Sequence, residues 1–107
     1  MYETPDDEIA VLMVDDVRTR HVELIARTAA EAKQALLDKK WSHLLIDHDL
    51  MDFETGHDVL VWAGKRRLLP KHIELLGGFK HAVTQMATVL IRFGYTEQDS
   101  NNFHYDK

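Results

Sequence analysis

The chain contains no cysteine. That excludes disulfides and thiolate metal sites, and argues against a small secreted scaffold held by cross-links. It has no basic excess either: the formal net charge is −5. A duplex nucleic-acid partner would call for a basic stripe, and −5 is too mild for a nucleic-acid mimic. No apolar run approaches the roughly 20 residues needed to cross a membrane, so no membrane partner is expected. The first residues, Met1-Tyr2-Glu3-Thr4-Pro5-Asp6-Asp7-Glu8, are acidic, whereas a secretory signal starts basic and then turns apolar. A cytoplasmic location is therefore expected. Internal repeats and low-complexity tracts are absent as well. What remains is a chain of 107 residues with 45% hydrophobic and 29% charged residues, the composition of one ordinary globular domain.

The stretch Leu44-Leu45-Ile46-Asp47-His48-Asp49-Leu50 organises the rest. Its aliphatic run suits a central strand buried on both faces, here residues 42–47. Acids that follow such a strand lie at its carboxyl end, where open α/β sheets place ligand sites. Residues 9–14, Ile-Ala-Val-Leu-Met-Val, run into Asp15-Asp16 in the same way. Residues 21–26 alternate weakly and read as a less buried second strand. The link before it is too short for the usual helical crossover of a parallel pair, and the direction of this strand stays open.

Thr28 and Glu31 fit a capping box that starts a helix running to about Lys40, with Ala29, Ala32, Leu36 and Leu37 on its apolar face and Trp41 closing its end against the core. Residues 48–55 form a loop, and Gly56 precedes a helix over 57–67 whose core stripe is Val59, Leu60 and Ala63. Pro70 ends that segment. Residues 71–76 alternate and read as a strand with one solvated face or an edge position. Residues 80–93 form a last helix with Val83, Met86, Ala87, Leu90 and Ile91 on one side, ended by Gly94. Three regions follow: a lead-in over 1–8, the domain over 9–94, and a polar tail or loosely docked segment over 95–107. Alternating strands and helices imply a three-layer α/β fold.

If the first and central strands are neighbours, Asp15, Asp16 and Asp47 form a carboxylate cluster. Three carboxylates at close range repel, and a hard dication relieves that repulsion. Mg2+ or Mn2+ on Asp15, Asp16 and Asp47 is the expected metal. Solvated strand-end acids are the bland alternative. Arg18 is a candidate substrate-binding residue, as a phosphate clamp, or a structural partner of Asp16. Asp47, His48 and Asp49 are the candidate catalytic residues, with His48 able to exchange a proton near neutral pH. His57, His72, His81 and His104 look scattered.

Some of these residues form a recognisable pattern. Asp15-Asp16, Leu45-Ile46-Asp47 and Gly56 before Val59-Leu60 resemble the receiver domains of response regulators. The closer resemblance is to the receiver-like family named for cyclic-phosphate processing. It rests on Val14-Asp15-Asp16-Val17-Arg18, Thr28-Ala29-Ala30-Glu31-Ala32, Asp47-His48-Asp49-Leu50 and Thr55-Gly56, and covers roughly residues 9–94. The resemblance implies a receiver-like (flavodoxin-like), mostly parallel sheet of about four strands, with the first helix missing or reduced. It implies metal-dependent hydrolysis of a cyclic phosphate, with a cyclic-phosphate or cyclic-nucleotide ligand. Where that family carries a His-Ser-x-Asn-like motif after the fourth strand, this chain reads Leu76-Gly77-Gly78-Phe79. The alternative is a catalytically degenerate interaction module with a protein partner or a second copy of itself, docking through Phe79 or through Phe103-His104-Tyr105. A phosphorelay receiver using Asp47 lacks the Lys and Thr positions it would need.

Overall fold

The computed structural model describes residues 9–106, so the expected lead-in over 1–8 lies outside the described residues. Six strands and three helices follow in the order β1 (Val11–Val14), β2 (Leu24–Ala26), α1 (Ala29–Asp38), β3 (His43–Asp47), α2 (Gly56–Lys65), β4 (His72–Leu76), α3 (Lys80–Arg92), β5 (Thr96–Asp99) and β6 (Asn102–His104). The strands form one mixed sheet in the order β2-β1-β3-β4-β6-β5. β2, β1, β3 and β4 are parallel, and β6 and β5 join antiparallel beyond β4.

The parallel pairing of β1 and β2 is made without a helix. Residues 15–23 return the chain through tight turns, with the Asp15 amide donating to Ala26 O at 3.1 Å and the Glu23 amide to Val11 O at 3.2 Å. A helix is the usual way to fill a crossover, but a tightly turned link suffices when no second layer has to be built.

That missing helix changes the layering. Side chains alternate across a strand. Leu12 and Val14, Leu44 and Ile46, and Ile73 and Leu75 face α1, α2 and α3 in one core with Ala32, Leu36, Val59, Leu60, Ala63, Met86 and Leu90. The opposite face carries only a small cluster of Met13, Leu45 and Leu76, with Val11, Val22 and Ile25 packed on it and no helical residue. The fold is therefore two-layered, not three-layered. The first crossover has no helix to cover the second face, and α3 leads into a hairpin instead of another crossover.

The hairpin also revises the expected tail. Tyr95 and Phe103 belong to the core, and the Tyr95 hydroxyl donates to Pro70 O at 2.6 Å. Gly94, at φ +99°, turns the chain out of α3, a conformation glycine adopts without strain. β4 is accordingly an interior strand. Its alternation reflects the helix-free face, where His72 and Glu74 are half-buried.

The capping box expected at α1 forms with one shift. Thr28 accepts from the Glu31 amide, but the Glu31 carboxylate reaches back to the Arg27 amide at 2.7 Å, one residue beyond Thr28. The reciprocal capping box is at α2, between Thr55 and Asp58. Leu37 and Ile91, expected in the core, are 56% and 57% exposed. Ala35 takes the inward position of α1, and the Trp41 indole N–H closes that helix by donating to Ala35 O at 2.8 Å.

Candidate functional site

β1 and β3 are adjacent and in register, with Val14 opposite Ile46, so the acids that follow them meet at one end of the sheet. Asp15 is fully buried and Asp47 is 6% exposed. With Asp16 they place one carboxylate oxygen each within 4.8 Å of one another.

Each buried acid is oriented by backbone. Asp15 Oδ1 accepts from the amides of Val17 at 2.9 Å and Arg18 at 2.8 Å, which turns the chain directly after β1. Arg27 pins the same turn by donating to Asp15 O at 3.1 Å, Arg18 O at 2.6 Å and Thr19 Oγ1 at 3.1 Å. Asp47 Oδ1 accepts from the His48 amide at 2.8 Å. α2 starts hard against this strand end: the Gly56 amide donates to His48 O at 2.8 Å, and a Cβ at Gly56 would lie 1.9 Å from Asp47 O, so only glycine fits.

With Oδ1 of both acids taken by amides, Oδ2 of each faces the Arg18 guanidinium. Arg18 Nη1 is 2.7 Å from Asp15 Oδ2 and 3.4 Å from Asp47 Oδ2. Arg18 thus pairs with Asp15 and Asp47 rather than with Asp16, because the turn at Asp15 folds it back over the strand ends. Burial would raise the pKa of Asp15, but the Arg18 and Val17 amides and the Arg18 guanidinium outweigh it and hold the carboxyl below its usual range. Asp47 goes the other way. Burial and then the charge of Asp15 push its pKa up, against the His48 amide and Arg18, and Asp49 adds to the rise. One guanidinium therefore leaves the cluster under-compensated. Hard oxygen donors, two of them buried, with a residual negative charge fit a divalent cation.

The other expected residues are near but not all in the cluster. His48 is 27% exposed at its side chain, and its Nδ1 lies 3.1 Å from Oδ1 of Asp49, which is itself 63% exposed. Asp52 and Glu54 turn away to α1, where Glu54 pairs with Lys33 at 2.7 Å. Across from Asp47, Gly77 at φ +143° brings bare backbone to the site: a Cβ there would lie 3.2 Å from Asp47 Oδ1, and one at Gly78 would meet open space.

His72 and His104, which look scattered in sequence, come together with His43 at the far end of β3 and β4. His43, His72 and His104 are register partners across β3, β4 and β6. Their rings stand 4.7 Å and 4.5 Å apart in a row beside a cavity of about 210 Å3 that also touches Glu74, Asp99 and Asn102. Only strand register brings them together, and neither their spacing nor the residues between them could show it.

The parallel core β2-β1-β3-β4, with paired acids after β1 and a further acid after β3, defines a receiver-like α/β domain. The chain belongs to the cyclic-phosphate processing receiver domain family, whose sequence profile matches residues 10–92. A search of curated proteins gave no match. Among the described residues, no helix is long and apolar enough to cross a membrane.

Proposed function

We propose that this domain hydrolyses a cyclic phosphate with the help of a divalent cation. The observation that carries the reading is the convergence of Asp15, Asp16 and Asp47, two of them buried and only one of them tightly paired to a cation. These three residues would hold Mg2+ or Mn2+, which polarises a phosphoryl oxygen and offsets the charge that develops there. Water adds to phosphorus, one ring P–O bond breaks, and the proton lost by water ends on the released hydroxyl. His48 is the group suited to move that proton. Its Nδ1 is held by Asp49, so in the neutral tautomer that donates to Asp49 its Nε2 carries a lone pair. Arg18 would contact a phosphate oxygen, and the ligand would be a cyclic phosphate or cyclic nucleotide.

The test uses purified protein, Mg2+ or Mn2+, and a nucleoside 2′,3′-cyclic phosphate. Ring opening to a monophosphate is expected, with activity abolished in Asp47→Asn and reduced about 100-fold or more in His48→Ala. Full activity in Asp47→Asn would sink the mechanism.

The bare Gly77-Gly78 wall favours a second reading, in which the pocket persists in an interaction module that binds a protein partner or a second copy. Phe79 at 72% exposed and Phe53, fully exposed, would be its contacts. Phe103 would not, since it is 2% exposed and part of the core. A monomer by light scattering with robust turnover argues against this reading.

A further inference from the structure

We propose that Arg18 is a built-in counter-cation that a divalent metal must displace, and that the displaced side chain becomes the phosphate clamp. This rests on the metal-dependent reading above. The argument is one of shared space. In both buried acids Oδ1 is committed to backbone amides, to Val17 and Arg18 at Asp15 and to His48 at Asp47. That leaves Oδ2 of each as the oxygen with no amide on it, and a cation shared by Asp15 and Asp47 would draw on these two atoms. Those are the two atoms that Arg18 Nη1 faces, at 2.7 Å and 3.4 Å. A Mg2+ ion stands about 2.0–2.1 Å from its oxygen ligands. An ion that ligates these oxygens would take the acceptors that Nη1 now faces and stand beside a like charge. The two cations therefore compete for the same oxygens.

The side chain can leave without moving its backbone. Its backbone is fixed, with the amide on Asp15 and the carbonyl held by Arg27 at 2.6 Å. Its own side chain is 40% exposed, and the contact to Asp47 is an ion pair too long for a hydrogen bond. Displacement is thus a rotation about side-chain bonds, with the turn unchanged. A guanidinium so released stays anchored next to the metal, where its paired N–H groups match the oxygens of a phosphate. Asp16 takes no part in the pairing, so it is available to the incoming ion from the start.

Calorimetric titration of Mg2+ and Mn2+ into the wild-type protein and into Arg18→Ala tests this, with inorganic phosphate titrated afterwards into each metal-loaded protein. Removing the competing cation should tighten metal binding about tenfold or more. The same change should weaken phosphate binding by a similar factor. Metal binding in Arg18→Ala alone, with none in the wild type, is the extreme form of the same result. Equal or weaker metal affinity in Arg18→Ala overturns the displacement while leaving the metal site intact. No metal binding by either protein overturns both. Should Arg18→Ala fold poorly, the wild-type protein answers alone: the Arg18 Nε–H resonance should shift as Mg2+ is added. A resonance unmoved at metal saturation overturns the proposal.

Discussion

The two ends of β3 carry ionisable groups on the same sheet face and handle burial in opposite ways. His43 opens the strand and Asp47 closes it. At the histidine end the groups can be neutral, and their hydrogen bonds fix how. The Ser42 hydroxyl donates to Ala10 O, so it must accept from His43 Nδ1–H at 2.8 Å. His104 Nε2 lies 3.0 Å from the Asp106 carboxylate, and His104 Nδ1 shares a hydrogen bond with His72 Nδ1 at 3.1 Å. Each of these contacts can be made with no net charge on the rings. At the aspartate end no such arrangement exists. Asp15 is held ionised by its amides and Arg18, and its charge adds to burial in pushing Asp47 up. Partial burial of titratable groups is thus common to both ends, and only one end is left wanting a cation.

The sharpest way to break the aspartate end is to add a methyl group where none fits. Gly56→Ala puts its Cβ against Asp47 O. The strand end and α2 must separate, at a cost of about 3 kcal/mol or more. Urea unfolding should show that loss, and Mg2+ affinity should fall with it as Asp47 is displaced. The histidine end should be untouched.

The histidine end is tested by pH, with a smaller effect. Burial lowers the pKa of His43 and, with the charges of His43, His104 and Lys71, that of His72. The folded chain therefore binds fewer protons than the unfolded chain, whose histidines titrate near 6.5. Their stabilising effect is complete above that value and declines as pH falls below it towards the depressed native values. Glu74, Asp99 and Asp106 are the acids that face this end of the sheet. The urea midpoint should drop between about pH 7.5 and pH 5.5, and His72→Gln should flatten that slope. An unchanged slope would mean that the row does not titrate as a unit.

Much of the acidic site is legible in the sequence because it is local. A short apolar run ending in acids fixes both strand and site, and two such runs need only be adjacent. Helices over α1, α2 and α3 are legible from their apolar stripes and caps. What is not legible depends on register or on an absence. The strand β5, Thr-Glu-Gln-Asp, is polar and exposed along its length because it is an edge strand, so it reads as tail. Its partner β6 has one core side chain, Phe103, and no run to mark it. The bare second face follows from a helix that is missing between β1 and β2, and alternation in β4 cannot distinguish that from a sheet edge. Arg18 was visible as a candidate, but its hold on both Oδ2 atoms depends on amides that only the folded turn supplies.

The account turns on a divalent cation at the acidic end. Mg2+ titration followed by backbone amide NMR is the direct measurement. Shifts centred on Asp15, Asp16 and Asp47, with His43, His72 and His104 unmoved, are the predicted result. Acid-end resonances that stay fixed at millimolar Mg2+ would contradict it.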